Sequence, residues 1–155
     1  MQLFAKDIFR NMPDSEFFIQ TLRGRGYRIT PQRELIIQAL VQSERHMSAE
    51  QIYEQVQSFT QATNIATVYR TLELLVAEGM ACQNDLGGGR VVYSSQQHGT
   101  HIHLVCRQCG KVIDADNQLI EPLRKRIKES YGFDASLNHS SISGVCNKCV
   151  SLLKS

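Results

Sequence analysis

The sequence predicts an α+β protein with a helical N-terminal part, a β-hairpin, and a small C-terminal part of strands around one helix. Three observations predict this fold. Apolar residues recur at helical spacing over the first half of the chain, a triple glycine then separates two short strand-like runs, and two Cys-x-x-Cys pairs bracket the last third. At 155 residues, the chain can form one domain or two small ones.

Four helices are expected before residue 80, and each carries a start or stop signal. The first covers about residues 16–25, and Gly24 and Gly26 end it. The second begins at Thr30-Pro31, with threonine as the N-cap and proline at the first helical position. Ser48-Ala49-Glu50-Gln51 is a capping box that opens the third, and Asn64 caps the fourth.

Apolar spacing predicts the buried face of the last three of these helices. Their expected inward residues are Leu35, Ile36, Ala39 and Leu40 in the second helix, Ile52, Val56 and Phe59 in the third, and Val68, Leu72, Leu75 and Val76 in the fourth.

The hairpin is predicted from strand-like residues 81–85 and 90–94, joined by Gly87-Gly88-Gly89. Helices followed by such a hairpin form the winged helix-turn-helix pattern, although many α+β domains share this order.

The fourth helix would then be the one that reads DNA. Thr67, Tyr69, Arg70 and Thr71 lie near its N-terminus, off the apolar stripe. Arginine can pair with guanine, and a tyrosine ring can pack on a thymine methyl group. An exposed Arg and Tyr without a ligand is the alternative interpretation.

The C-terminal part is predicted to have strands at 102–105 and 111–113, a helix at 119–131, and a third strand at 140–145. A unit this small cannot bury its own sheet face. We therefore expect a zinc ion and a partner subunit to complete its core.

Cys106-Arg-Gln-Cys109 and Cys146-Asn-Lys-Cys149 predict a structural zinc site. Four thiolates close the tetrahedral shell of Zn²⁺, and Gly110 suits the tight turn after the second ligand. Disulfides are the alternative, but five cysteines leave one unpaired. The N-terminus lacks the features of a secretory signal, so we expect a cytoplasmic protein.

Charge and hydropathy limit the partners. No apolar run approaches the ~20 residues that a membrane span needs. The net charge of +2 does not decide for or against nucleic acid. Four arginines do crowd one short segment, and a solvated face is the alternative to a DNA contact there; they are Arg23, Arg25, Arg28 and Arg33.

Several motifs lie in collinear order between about residues 16 and 150. They are Gly26-Tyr27-Arg28-Ile29-Thr30-Pro31-Gln32-Arg33, His46-Met47-Ser48-Ala49-Glu50, Ala66-Thr67-Val68-Tyr69-Arg70-Thr71-Leu72, the run from His101 to Lys111, and the terminal Cys-x-x-Cys. In this order the chain strongly resembles the ferric uptake regulator (Fur) family of metal-dependent transcription repressors.

The resemblance implies a homodimer with a winged-helix DNA-binding domain over residues 1–95, a hinge over 96–100, and a dimerisation and metal-binding domain over 101–155. It also implies a regulatory metal at the hinge. By motif position its ligands are His46, His101, His103 and Asp114, and the spacing of the two neighbouring histidines alone puts both on one face of a strand. The resemblance further implies DNA contacts by Arg28, Thr67, Tyr69 and Arg70.

The chain departs from the family pattern at two sites. Ser94 and Ser95 stand where many relatives have an acidic hinge ligand, and Cys82 is expected to replace it. A small buried apolar role is the alternative for Cys82. A further metal site keeps Glu121 and His139 but has Thr100 and Ile102 at its other positions, so we expect it to be absent or weak.

The predicted function is a metal-dependent repressor of metal-homeostasis genes that binds an inverted-repeat operator as a dimer, without a membrane or small-molecule substrate. Thiolate plus imidazole favours Zn²⁺ as the sensed metal. Iron- or manganese-dependent repression is the alternative, and Asp114 leaves a peroxide sensor open.

No enzyme is predicted, because the chain has neither His-Glu-x-x-His nor the deaminase pattern His-x-Glu with Pro-Cys-x-x-Cys. A zinc hydrolase and a zinc-ribbon interaction module are distant alternatives. The interaction module would leave the helix with Tyr69-Arg70 and the glycine-rich hairpin unexplained.

Overall fold

The computed structural model describes residues 13–43, 46–96, 101–138 and 140–153. In chain order, the described elements are α1 (Pro13–Gly24), α2 (Pro31–Gln42), α3 (Ala49–Gln57), α4 (Ile65–Ala77), β1 (Ala81–Asp85), β2 (Val91–Ser95), β3 (Ile102–Cys106), β4 (Val112–Ala115), α5 (Asn117–Tyr131), β5 (Ser141–Gly144) and α6 (Asn147–Leu153). Helices with two small sheets confirm the predicted α+β class.

The described residues divide into two compact units. The first contains residues up to Ala81 together with Tyr93–Gln96, and the second contains Cys82–Val92 together with the residues after Gln96. Among the described residues, no helix has the length and apolar character to cross a membrane.

The first unit is a small helical core with α2 at its centre, because α2 contacts α1, α3 and α4. The side chains that meet there are completely buried, and they include Leu22, Ile37, Leu40, Ile52 and Leu72. Burial of such aliphatic side chains supplies most of the favourable free energy of folding in a unit of this size.

The helix starts predicted at Thr30, Ser48 and Asn64 are confirmed, whereas α1 begins at Pro13, three residues before the expected start. Thr30 Oγ1 accepts from the backbone N–H of Arg33 at 3.2 Å. The capping box is complete, since the Gln51 N–H donates to Ser48 Oγ at 3.2 Å and the Ser48 N–H donates to Gln51 Oε1 at 2.9 Å. Asn64 caps α4 in the same way. These contacts satisfy N–H groups that a helix N-terminus otherwise leaves unpaired.

Phe59 does not point inward as predicted. Helix α3 ends at Gln57, so Phe59 lies beyond the helical spacing and is 53% exposed. Leu35 and Val76 are half-buried, at the margins of their stripes.

The hairpin forms as predicted, with β2 one residue later than expected. Its tip is closed by the Leu86 N–H, which donates to the Arg90 carbonyl at 2.9 Å. Three consecutive glycines have φ of 83°, 64° and 76° there, a run that side-chain-bearing residues rarely adopt. At its base, Met47 and Tyr93 exchange backbone hydrogen bonds of 3.0 and 2.8 Å.

The second unit contains a three-stranded sheet in the order β4–β3–β5. Strand β3 pairs antiparallel with β4 and parallel with β5. Helix α5, capped by Asp116, buries Ile120 but leaves Leu119 and Leu123 exposed. Helix α6 was not predicted, because seven residues are too few to show a helical period.

One face of this sheet carries an uncovered apolar row. Leu104 is the register partner of both Ile113 and Ile142, which are 43% and 46% exposed. The three side chains line a groove of about 230 Å³. The prediction that this unit does not bury its own sheet face is therefore confirmed.

Candidate metal centres and nucleic-acid interface

The parallel pairing of β3 and β5 explains how the two Cys-x-x-Cys pairs meet. Cys106 ends β3, and its register partner Gly144 ends β5, so both cysteine segments leave the sheet at the same edge. The Sγ atoms of Cys106, Cys109, Cys146 and Cys149 all lie within 4.8 Å of one another. Gly110 follows the first pair with φ 73°, as the predicted tight turn requires.

The polypeptide around the cysteines stabilises two of the thiolates. Hydrogen bonds from the backbone at Cys109 and Cys146 lower the pKa of Cys106 to about 6. The Cys146 N–H lies 3.3 Å from Cys106 Sγ. The pKa of Cys146 is also lowered, chiefly by a hydrogen bond from the backbone at Cys149. Such thiolates are preformed metal ligands.

The surroundings of Cys149, in contrast, disfavour its thiolate form. Its burial is the largest cause that raises the pKa of its thiol, to about 12. A divalent cation at the centre of the four sulfurs would compensate the buried charge, as expected for a coordinating thiol. The donor set and its closure thus fit a structural zinc.

A second group of ligand atoms lies near the N-terminal end of β3, whereas the cysteines lie at or beyond its C-terminal end. His103 is 1% exposed, and its Nδ1 lies 2.7 Å from Asp114 Oδ1. The His101 ring meets the His103 ring edge-on, with centroids 4.8 Å apart. One ligand atom from each of these three residues lies within 4.8 Å of the others. Two imidazoles and a carboxylate are a metal-binding donor set.

The other predicted metal ligands are His46, Cys82, Glu121 and His139. His46 belongs to the first unit, directly before the Met47–Tyr93 bridge. Cys82 is half-buried in β1 and is not among the described side chains whose ligand atoms gather into these groups. Glu121 Oε1 accepts a hydrogen bond of 2.5 Å from Arg124. His139 lies outside the described residues.

The presumed DNA-reading helix α4 presents Tyr69 and Arg70 to solvent. Thr67 is half-buried, and its hydroxyl donates to the capping Asn64 side chain at 3.0 Å. Thr71 was predicted to lie off the apolar stripe, but it is only 1% exposed and donates to the Thr67 carbonyl. That prediction is wrong, because position 71 lies one helical turn from both Val68 and Leu75 on the buried face.

The crowded arginines divide into two kinds. Arg25 donates to the carboxylate and the backbone carbonyl of Glu78 at the end of α4, and Tyr27 donates to the same carboxylate at 2.6 Å. Arg33 donates to the backbone carbonyl of Arg28 at 2.5 Å. Arg25 and Arg33 therefore hold the segment in shape, while the Arg23 and Arg28 side chains are exposed.

Sequence reasoning missed Glu78 and also Glu50, whose carboxylate accepts a hydrogen bond from Tyr69. Glu50 lies in the helix before that of Tyr69, and Glu78 follows α4 while its partners follow α1, so no local period signals either pair. Glu50 lies between the two capping-box residues, which could have marked it only as a helix-start residue.

Four helices followed by a hairpin, together with two groups of potential metal ligands, define the class of metal-binding regulators. The pattern of the Ferric uptake regulator family matches residues 24–142. The chain belongs to this family, and it is accordingly a metal-dependent transcription regulator.

Three relatives show the degree of similarity. The chain is 33% identical over 132 residues to the ferric uptake regulation protein of Bacillus subtilis (strain 168), covering 83% of this chain and 89% of that protein. It is 30% identical over 131 residues to the peroxide-responsive repressor PerR of Staphylococcus aureus (strain USA300), covering 84% and 88%. The Vibrio cholerae ferric uptake regulator structure aligns with TM-score 0.68 and 31% identity, covering 82% and 98%.

Proposed function

We propose that this chain is a homodimeric repressor that binds an inverted-repeat operator when a regulatory metal occupies a hinge site. The observation that carries the proposal is the coexistence of two donor groups of different chemistry. Four thiolates form one closed group, and His101, His103 and Asp114 form a separate, thiolate-free one. One metal can then be permanent and the other exchangeable.

In this proposal Cys106, Cys109, Cys146 and Cys149 hold a structural zinc. All-thiolate coordination leaves no open position for a substrate, so this ion serves folding rather than hydrolysis. Because the two cysteine pairs follow β3 and β5, the ion would pin the ends of neighbouring strands together.

The regulatory ion would be bound by His101, His103 and Asp114, with His46 joining from the first unit on the strength of its motif position. A ligand from each unit makes metal affinity depend on the orientation of the units. The metal then shifts the population towards the orientation that it binds best. In this account residues 1–95 bind DNA, 96–100 form the hinge, and 101–155 dimerise.

The donor set of the described group favours Fe²⁺ or Mn²⁺ as the sensed metal, because it combines imidazoles with a carboxylate and contains no thiolate. Resemblance to a ferric uptake regulation protein and to a peroxide-responsive repressor supports the same choice. Zinc sensing remains the second candidate. It depends on the thiolate of Cys82 joining the imidazoles.

DNA would be read by α4. Arg70 and Tyr69 are exposed near its N-terminus and would reach base edges, while Thr67 lies at the helix end that faces phosphates. Arg28, on the segment held by Arg25 and Arg33, would reach the backbone or the minor groove. Because it binds an operator, the protein would work in the cytoplasm, where bacterial DNA lies.

A second copy of the chain would cover the apolar row of Leu104, Ile113 and Ile142. A two-fold dimer presents two equivalent reading helices, which is why the operator should be an inverted repeat.

The proposal is tested by elemental analysis of protein purified without added metal, followed by selection of binding sequences from a random duplex pool with Zn²⁺, Mn²⁺ or Fe²⁺. We expect one tightly held zinc per chain and an inverted-repeat sequence bound only with the regulatory ion. His101→Ala should abolish metal-dependent DNA binding but keep the zinc and the dimer. His46→Ala should still bind the metal, more weakly and with poorer coupling to DNA. A metal-independent protein, or one that selects no sequence, would instead indicate an interaction module.

A further inference from the structure

Tyr69 of α4 is held by a residue of the preceding helix. Its hydroxyl donates to Glu50 Oε1 at 2.5 Å, a contact between residues 19 positions apart. Glu50 occupies the second position of α3, between the capping-box residues Ser48 and Gln51. The bond therefore joins the N-terminal turn of one helix to the exposed face of the next.

Glu50 holds this bond as a carboxylate. The hydrogen bond from Tyr69 is the largest cause that lowers the pKa of Glu50, and the backbone N–H of Glu50 and the Ser48 hydroxyl add to it. The same bond raises the pKa of Tyr69, so its proton stays on the phenol. A hydrogen bond to a charged acceptor is about twice as strong as one between neutral groups.

The bond determines which part of Tyr69 is available to DNA. A tyrosine side chain has two main torsions, so anchoring its hydroxyl as well as its Cα fixes the ring. Tyr69 is 38% exposed in this pose. With the hydroxyl bound to Glu50, the exposed part is the apolar ring, which can contact a thymine methyl group.

The negative charge of Glu50 also has a cost. A carboxylate beside the reading helix repels phosphates, so it weakens binding to every DNA sequence alike. A group that lowers general affinity while orienting a base contact raises specificity.

We propose that Glu50 is a positioning residue that orients the Tyr69 ring onto the methyl group of one thymine in each half-site. Tyr69 then reads this base by apolar contact and not by a hydrogen bond from its hydroxyl. The inference rests on the proposed DNA-binding function and on α4 as the reading helix.

The test replaces thymine by uracil, which lacks only the methyl group, at each position of one half-site of the selected operator. Metal-loaded full-length protein should lose about fourfold in affinity at one position, the factor expected for burying one methyl-sized group. Glu50→Ala should reduce the ratio of the affinity for the thymine operator to that for the uracil operator to near one. Glu50→Gln keeps an acceptor for the hydroxyl, so it should keep the ratio while binding all sequences more tightly.

Two further variants distinguish an effect of ring positioning on this affinity ratio from effects of negative charge and of folding stability. Glu54→Ala removes a negative charge from the exposed side of the same helix and should leave the ratio unchanged. Tyr69→Phe should lower the ratio, and adding Glu50→Ala to it should lower the ratio no further, because both changes remove one bond. Thermal unfolding of each variant checks that the ratio does not follow stability.

A wild-type ratio that survives Glu50→Ala would overturn the proposal, as would a ratio of one at every position of an operator that still requires Arg70. If Arg70→Ala also left operator affinity unchanged, the assignment of α4 as the reading helix would have failed instead.

Discussion

His103 and Asp114 stand directly opposite each other in the antiparallel register of β3 and β4, and this pairing brings His103 Nδ1 within 2.7 Å of Asp114 Oδ1. Residues opposite on one sheet face have Cβ atoms about 5 Å apart, close enough for this contact without distortion. The carboxylate orients the buried imidazole, so that Nε2 would be the atom that binds a metal. Sheet register thus determines how the regulatory metal would be held.

Asp114→Ala should weaken binding of the regulatory metal by about 10- to 100-fold, because the imidazole loses its orienting partner and the site loses a carboxylate. Asp114→Asn should fall between this variant and the wild type, since an amide oxygen can still accept from the ring N–H. Competition with a chelating dye measures both affinities. Unchanged affinity in the alanine variant would remove Asp114 from the site; zinc content serves as the control for folding.

Cys146→Ser should remove the structural zinc and give a monomer or an aggregate. Three remaining thiolates do not close the coordination shell, and the ends of β3 and β5 lose their common tie. Zinc analysis with size-exclusion chromatography and light scattering measures both effects. A stable dimer with full zinc content would contradict the assignment of these four cysteines.

Cys82→Ser is the matched change at the fifth cysteine, and it distinguishes zinc sensing from iron or manganese sensing. If the regulatory site contains only imidazoles and carboxylate, this variant should keep the Fe²⁺, Mn²⁺ and Zn²⁺ affinities of the wild type and cost a little stability. X-ray absorption of the regulatory ion should then show no sulfur ligand. Selective loss of zinc affinity, with loss of one sulfur from the spectrum, would restore zinc sensing.

Structural features could be predicted from the sequence alone wherever one residue type determines a local geometry. Thr30 and Asn64 mark helix starts because their side chains replace missing backbone acceptors. The four paired cysteines could be grouped from spacing alone. In each case the chemistry acts over two to four residues of chain.

Burial and hydrogen-bond partners could not be predicted from the sequence where they depend on contacts in the tertiary structure. Phe59 follows the helical period of α3, yet the helix ends two residues earlier. Thr71 is a polar residue, but its hydroxyl donates to the Thr67 carbonyl, and its side chain is buried. The bonds of Glu50 to Tyr69 and of Glu78 to Tyr27 require knowing which helices are neighbours.

Glu78→Gln should flatten the loss of stability in acid. Hydrogen bonds from Tyr27 and Arg25 lower the pKa of Glu78. A carboxyl group whose pKa is lower in the folded state contributes stability that is fully present above its unfolded pKa, about 4.5, and that is lost as pH falls through the folded value. Denaturant unfolding from pH 6 downwards measures this slope. Tyr27→Phe should lose part of the same pH dependence, and identical slopes in all three proteins would contradict the role of the Glu78 cluster.

Arg70→Ala and Arg28→Ala should weaken DNA binding in different ways. Arg70, exposed on α4, is proposed to pair with a base, so its loss should cost about 1–3 kcal/mol and relax sequence preference at one position of each half-site. Arg28 is proposed to contact the phosphate backbone, so its loss should weaken binding to all DNA sequences alike. The slope of log K against log salt concentration should then fall in magnitude by about one.

The neighbouring arginine Arg25 provides the control for these changes. Its guanidinium is already bound to Glu78, so Arg25→Ala should lower the unfolding temperature and affect DNA binding mainly through the shape of the segment that carries Arg28. Fluorescence anisotropy at several salt concentrations, on the selected operator and on single-base variants, separates the three effects. If Arg70→Ala kept both the affinity and the preference of the wild type, α4 would not be the reading helix. The base contacts would then have to come from another exposed basic group, with Arg23 the next to test.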